Sequence, residues 1–320
     1  MKAMTRSVAL AVFAMATSMA ASSPCPTDEA IGVFEARRFA EARAMLEPCA
    51  STDARAALYV GRAHLAERNF DRAVEALEKA AALDPKDAEP QLWLGRAYGQ
   101  KAMKANVLQQ ASLAGKVRKA FERAVALDPA NIDARLSLID YYLLAPGIMG
   151  GSVAKAREQA AEIRRRDALK GFQAAGRIAE YEKKWDAALS EYERAGREFP
   201  QRKEPYIWRA NMAAQQKDYA RAFDILEALQ KAQPSDPTVD YSIGRLGAQT
   251  GERLDRAEEA LKRYLQHEPG RDEPALSSAH FQLGVLYEKR GNRDLARKEY
   301  QRALDFEPSH SGAREALAKK

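Results

Sequence analysis

Residues 280–308, HFQLGVLYEKRGNRDLARKEYQRALDFEP, hold the pattern that decides the fold. Gly284 stands late in one apolar-periodic stretch, Ala296, Tyr300 and Ala303 share one face of a second, and Pro308 follows Phe306-Glu307. Residues three and four apart lie on one helical face. The small residues therefore mark a close crossing of two antiparallel helices, and Tyr300 fills the space left beside them. Proline disfavours a helical conformation in the residue before it, which ends the second helix.

The same set recurs upstream. Ends of this kind occur at Leu83-Asp84-Pro85, Leu127-Asp128-Pro129, Glu198-Phe199-Pro200, Ala232-Gln233-Pro234 and His267-Glu268-Pro269. From Pro85 to Pro308 the proline spacings are 44, 71, 34, 35 and 39, one or two units of about 34 residues with small insertions. Crossing and filling positions precede each end: Gly61 with Leu77, Gly95 with Phe121, Gly176 with Tyr192, Ala210 with Leu226, and Gly244 with Leu261. A looser unit carries Ile139, Ala156, Ala160 and Ile163, with Ala168 where the proline belongs. Each helix pair leaves an apolar face that only its neighbour can cover, so the pairs stack and both ends need caps.

This pattern resembles the tetratricopeptide repeat family, in its exported bacterial form, over about residues 27–310. The family's early tryptophan is replaced here by Ala57, Gln91, Arg135, Phe172, Tyr206, Asp240 and His280. The resemblance implies an all-α superhelical solenoid of stacked helix-turn-helix repeats, with first helices lining a concave side. The expected organisation is a signal peptide at 1–20, a capping helical hairpin at 21–53, seven repeats over 54–310 and a capping helix at 311–320.

The start of the chain reads as an address. Lys2 and Arg6 precede an apolar run from Val8 to Ala20, and Ser18-Met19-Ala20 supplies small residues for cleavage after Ala20. That run is too short to span a bilayer, so a soluble periplasmic or secreted protein is expected. Cys25 and Cys49 then lie in an oxidising compartment, where a disulfide across a hairpin turning near Arg38 is the expected fate. A metal pair lacks nearby ligands, since the histidines are scattered at positions 64, 267, 280 and 310.

Charge and motif content narrow the function. Charged residues make up 30% of the chain and the net charge is +6, falling to +4 without Lys2 and Arg6. Acids and bases alternate along the helices, and only Arg164-Arg165-Arg166 approaches a basic tract, so nucleic acid is not an expected partner. No nucleophile stands in a catalytic setting and no metal-ligand spacing such as His-Glu-x-x-His occurs, so neither an enzyme nor a cofactor is expected. The expected function is a scaffold or adaptor of the cell envelope that takes a protein or peptide in its groove. A peptidoglycan- or glycan-associated role is the alternative, with Trp93, Trp185, Trp208 and Tyr241 as stacking surfaces.

By the family's geometry, the residue after each crossing position points into the groove: Arg62, Arg96, Asp140, Arg177, Asn211, Arg245 and Val285. Four residues earlier stand Leu58, Leu92, Leu136, Gln173, Ile207, Tyr241 and Phe281. Guanidinium heads above an apolar footing suit a peptide bearing carboxylates. The competing reading is arginines that pair with acids of the adjacent repeat.

The repeat is broken twice. About ten extra residues lie between Tyr98 and Val117, read as both helices lengthened into a ridge. About five more fall in the uncharged turn Ala145-Pro146-Gly147-Ile148-Met149-Gly150-Gly151-Ser152. Ile148 and Met149 are expected to pack on the neighbouring repeat, with partner docking the alternative.

Overall fold

The computed structural model describes residues 25–270 and 272–319; the leader-like segment 1–20 lies outside the described residues. Eight antiparallel helical hairpins follow one another, closed by a single helix. They are α1 Thr27–Glu35 with α2 Phe39–Leu46, α3 Ala54–Ala66 with α4 Phe70–Leu83, α5 Ala88–Lys104 with α6 Val107–Leu127, and α7 Ile132–Leu144 with α8 Val153–Arg166. The second half holds α9 Ala168–Tyr181 with α10 Trp185–Glu198, α11 Glu204–Gln215 with α12 Tyr219–Ala232, α13 Pro237–Thr250 with α14 Leu254–Tyr264, α15 Leu276–Lys289 with α16 Arg293–Phe306, and finally α17 Ser311–Ala318. No strand occurs among the described residues. The fold is an α-α solenoid.

Each helix packs on the next, and each first helix from α1 to α13 also meets the first helix of the following hairpin. Consecutive second helices meet far less among the described residues, so they splay and the first helices line the inside of the curve.

Close crossing sets the hairpin geometry. A Cβ on Gly61 would lie 2.5 Å from Leu77 Cγ, and one on Gly176 would lie 2.1 Å from Tyr192 Cε1. Gly95 against Phe121, Gly244 against Leu261 and Gly284 against Tyr300 are equally tight. Contacts this short are forbidden to a methyl group, so each glycine is fixed by the ring or leucine lying on it. Where the filler is tyrosine, its hydroxyl donates to a glutamate four residues past the glycine: Tyr192 to Glu180 at 3.0 Å and Tyr300 to Glu288 at 2.7 Å.

Five hairpins turn in the same way. The second residue past the first helix takes a left-handed backbone at Arg37, Arg68, Lys183, Lys217 and Gly291. The next amide then reaches a carbonyl five residues back, as in Asn69 to His64 at 2.8 Å and Asp218 to Ala213 at 2.9 Å. This is the Schellman closure, which satisfies carbonyls left over at a helix end.

Both insertions lengthen local structure. α5 has 17 residues and α6 has 21, against 14 in α9 and α10. The second insertion forms one 3-10 turn, Gly147–Met149, before Ser152 caps α8. Its Ile148 is 96% exposed and packs on no neighbouring repeat, contrary to the expectation for that side chain. Tyr141 Oη binds the Met149 carbonyl and the Ser152 amide binds Tyr142 O at 2.8 Å, which ties the loop backbone down with Ile148 on its outer side. At the missing proline, Asp167 alone separates α8 from α9, ending one and capping the other through the Lys170 amide at 2.9 Å.

The two ends are secured differently. Cys25 and Cys49 are joined by a disulfide, their Cα atoms 6.0 Å apart, beside the small cluster of Ala30, Leu46, Ala56 and Val60. The curve brings the last helices round to the first: Arg37 pairs with Glu307 at 3.1 Å and Arg68 with Glu315 at 2.8 Å.

Candidate functional site

The inner surface begins where the ends meet. A cavity of about 630 Å³ is bounded by Phe34 and Arg37 of the first hairpin, Arg62 of α3, Trp93 and Arg96 of α5, and Ser311 of α17. The guanidinium carbon of Arg62 lies 4.9 Å from the Phe34 ring centre, 4.4 Å from Tyr59 and 4.5 Å from Trp93. Arg96 lies 4.6 Å from Trp93. The indole is fixed by a hydrogen bond from its Nε1 to Glu89 at 2.9 Å.

The arginines around this cavity differ in their partners. Arg37 and Arg68 are held by Glu307 and Glu315, and Arg96 lies 3.7 Å from Asp133. Burial lowers the Arg96 pKa, opposed mainly by the Asp133 charge. Arg62 forms no ion pair within 4 Å among the described residues and its Nε is buried without an acceptor, while the Glu35 carboxylate borders the same cavity. A guanidinium boxed by three aromatic rings keeps its positive charge while losing part of its water.

Further along, the predicted stripe satisfies itself. Arg177 of α9 binds Asp140 of α7, and Arg245 of α13 donates to Asn211 of α11 at 2.9 Å. Both are rungs between consecutive first helices. Burial raises the Asp140 carboxyl pKa, and the Arg177 charge opposes it. Val285 is half-buried.

The apolar footing divides. Leu58 and Leu92 lie in the core, 6% and 1% exposed, and offer a visitor nothing. Four residues rotate a helical position by about 40° beyond a full turn, which here carries both leucines under the next hairpin. Leu136, Gln173, Ile207, Tyr241 and Phe281 remain half-buried on the inner side. Tyr241 packs 5.3 Å from Tyr264, and Phe281 packs 5.7 Å from Tyr300 and 4.9 Å from His310.

The remaining candidates are structural. Trp185 packs in the cluster around Ala188 and Tyr192, and Trp208 lies 5.5 Å from Tyr192, so both indoles are half-buried in the stack. Arg165 and Arg166 both close on Glu162, while Arg164 reaches Glu191 at 2.5 Å, so each arginine of the basic tract faces a carboxylate. His280 donates to or accepts from Glu299 at 2.7 Å inside the last hairpin. No cluster of three metal-ligating side chains occurs among the described residues, and no described helix is long and apolar enough to cross a membrane.

The Arg62 box was not visible as a unit in the sequence, because Phe34, Tyr59 and Trp93 come from three different hairpins. Its signal was partial: Trp93 precedes the groove position Arg96 by three residues, which places both on one helix face.

Hairpins stacked in one direction, with small residues at each crossing and a continuous inner surface of first helices, define an α-helical repeat protein. Tetratricopeptide repeat models match residues 54–97, 174–237 and 277–310. Among solved structures, a thermophilic tetratricopeptide repeat protein of Thermus thermophilus is 16% identical with a TM-score of 0.47, over 59% of this chain and 96% of that one. A tetratricopeptide repeat protein of Parabacteroides merdae is 12% identical with a TM-score of 0.47, over 82% and 96%. The C-terminal part of a repeat-containing protein of Cytophaga hutchinsonii is 16% identical with a TM-score of 0.45, over 91% and 99%. No curated protein matches the chain.

Proposed function

We propose that this protein is a non-catalytic scaffold or adaptor of the bacterial cell envelope, and that its inner groove takes an acidic segment of a protein partner at Arg62. The observation that carries the reading is the boxed guanidinium, its Nε buried without an acceptor, at the edge of a cavity that opens on a surface of first helices. Phe34, Tyr59 and Trp93 orient the guanidinium and hold water off it, so a carboxylate that replaces water there gains a charge-assisted, paired hydrogen bond. Ile207, Tyr241 and Phe281, farther along, supply apolar contact to the rest of the segment. Arg177 and Arg245 act as rungs of the groove wall, since their heads are already engaged.

Export is supported by the basic, apolar and small-residue order of the first twenty positions and by the disulfide, which persists in oxidising compartments. The test is site-specific photo-crosslinking in intact cells. A crosslinker at Ala66, which lines this cavity, captures a proteinaceous partner, and one at the outward-facing Glu75 of α4 does not. Equal capture from both positions, or recovery of glycan alone, contradicts the proposal.

A further inference from the structure

The two insertions that break the repeat meet at one place. The lengthened α5 and α6, together with α7 and the 145–152 loop, enclose an open cleft of about 710 Å³ whose floor includes Val117, Phe121, Leu136 and Met149. Around it stand Met103, Val107, Leu108, Leu144 and Ile148, each between 75% and 96% exposed. In a chain with 30% charged residues, segments 105–115 and 141–154 contain none. The charged residues that reach the cleft are spent internally, Arg96 on Asp133 and Asp140 on Arg177. An occupant therefore meets a neutral apolar surface and gains nothing from bearing charge.

We infer that the occupant is a second copy of this chain, and that the ridge and cleft form a two-fold dimer interface. Three observations favour a copy over a foreign segment. Val107 and Leu108 sit on the same helical hairpin as the cleft yet do not line it, so they are free to enter the cleft of another molecule. A two-fold interface requires knob and hole side by side on one patch, which this hairpin provides. The five exposed side chains also present on the order of 800 Å² between them, the amount one subunit contributes to a standard interface.

The loop is built to keep its share of this surface presented. Its backbone closes through Met149 N to Pro146 O at 2.8 Å, Gly150 N to Gly147 O at 2.9 Å and Gly151 N to Pro146 O at 3.1 Å. A Cβ on Gly151 would lie 1.8 Å from Ala145 O, so only glycine allows this closure. Lys101 is drawn back to Asp71 at 2.5 Å and Lys104 lies over the Phe70 ring, which clears both cations from the ridge.

Sedimentation velocity of the full chain at micromolar concentrations tests the inference. The expected species is a dimer, and Leu108→Glu and Ile148→Glu each weaken it by about a hundredfold or more, because each leaves an unpaired charge in an apolar contact. Circular dichroism stays unchanged in both variants, since neither side chain packs within the monomer. A photo-crosslinker at position 108 forms a covalent dimer whose second site maps to Met103, Leu144 or Met149. A monomer at every concentration, a dimer indifferent to both substitutions, or crosslinks from position 108 to other proteins only would overturn the inference. None of these outcomes depends on whether Arg62 binds an acidic segment.

Discussion

Placing a methyl group on Gly176 tests the close-crossing argument at its tightest point. In an exposed helix interior, glycine to alanine stabilises by about 1 kcal/mol, because alanine loses less backbone freedom. Here the new carbon arrives 2.1, 2.5 and 2.8 Å from Cε1, Cζ and Oη of Tyr192, against an ordinary contact of about 3.5 Å. Tyr192 is almost fully buried and tied to Glu180, so its ring has to move by more than an ångström or α9 and α10 have to part. Overpacking of this kind costs about 3 kcal/mol and disturbs a hydrogen bond contributing about 1 kcal/mol. After the helical gain is set against these, Gly176→Ala is expected to destabilise by about 2–3 kcal/mol. Gly115→Ala is the control: that glycine is inside α6 with nothing near its absent side chain, and the change should stabilise by about 0.5–1 kcal/mol. Adding Tyr192→Leu to Gly176→Ala reproduces the Ala210–Leu226 combination of the next hairpin and should recover more than 1 kcal/mol of the loss. Urea denaturation followed by circular dichroism gives the totals. Hydrogen exchange locates the loss in α9 and α10, since a linear array need not unfold in one step. If Gly176→Ala stabilises the protein as Gly115→Ala does, the packing argument is wrong.

Other consequences are as direct. Lys183→Gly and Lys217→Gly relieve a left-handed backbone at the hairpin turns and should each raise stability by roughly 1 kcal/mol in the same urea assay, provided the turn holds its geometry. Reducing the Cys25–Cys49 bond should cost about 3 kcal/mol by the loop-entropy relation, and the resulting increase in hydrogen exchange should be confined to α1, α2 and the start of α3. The end-to-end pairs Arg37–Glu307 and Arg68–Glu315 both have a solvent-exposed arginine and contribute about 1 kcal/mol each. Arg37→Glu combined with Arg68→Glu should therefore leave the thermal midpoint nearly unchanged while enlarging the radius of gyration in X-ray scattering; an unchanged radius would mean that these pairs do not hold the ends together.

The parts of the molecule legible in the sequence are those governed by contacts within one hairpin. Gly61 and Leu77, or Gly284 and Tyr300, are sixteen residues apart with a fixed turn between them, so their meeting follows from helix geometry. Lengthening of α5 and α6 followed in the same way, because an uninterrupted helical pattern has nowhere else to extend. The groove was harder. Arg177 with Asp140 and Arg245 with Asn211 are 37 and 34 residues apart, and which polar group meets which depends on the angle between successive hairpins. That angle is a property of the whole stack. The same angle carries Leu58 and Leu92 into the core while leaving Ile207 and Phe281 partly open. Ile148 failed the expectation of packing for a different reason: the amides of Gly150 and Gly151, bound to Gly147 O and Pro146 O, and the Tyr141 hydroxyl on the Met149 carbonyl fix the loop's shape independently of where its apolar side chain would be most stable.

Affinity for a carboxylate-bearing peptide, measured by calorimetry on the wild type and on Arg62→Met, bears most directly on the groove. The probe is the segment recovered by crosslinking at Ala66, in its native form and with its acidic residues amidated. Loss of a charge-assisted hydrogen bond contributing about 1.5–3 kcal/mol corresponds to weakening by roughly 10- to 100-fold, both for Arg62→Met and for the amidated peptide. Combining the two changes should add little further loss. Equal affinity across all four combinations would contradict the account and place recognition elsewhere on the protein.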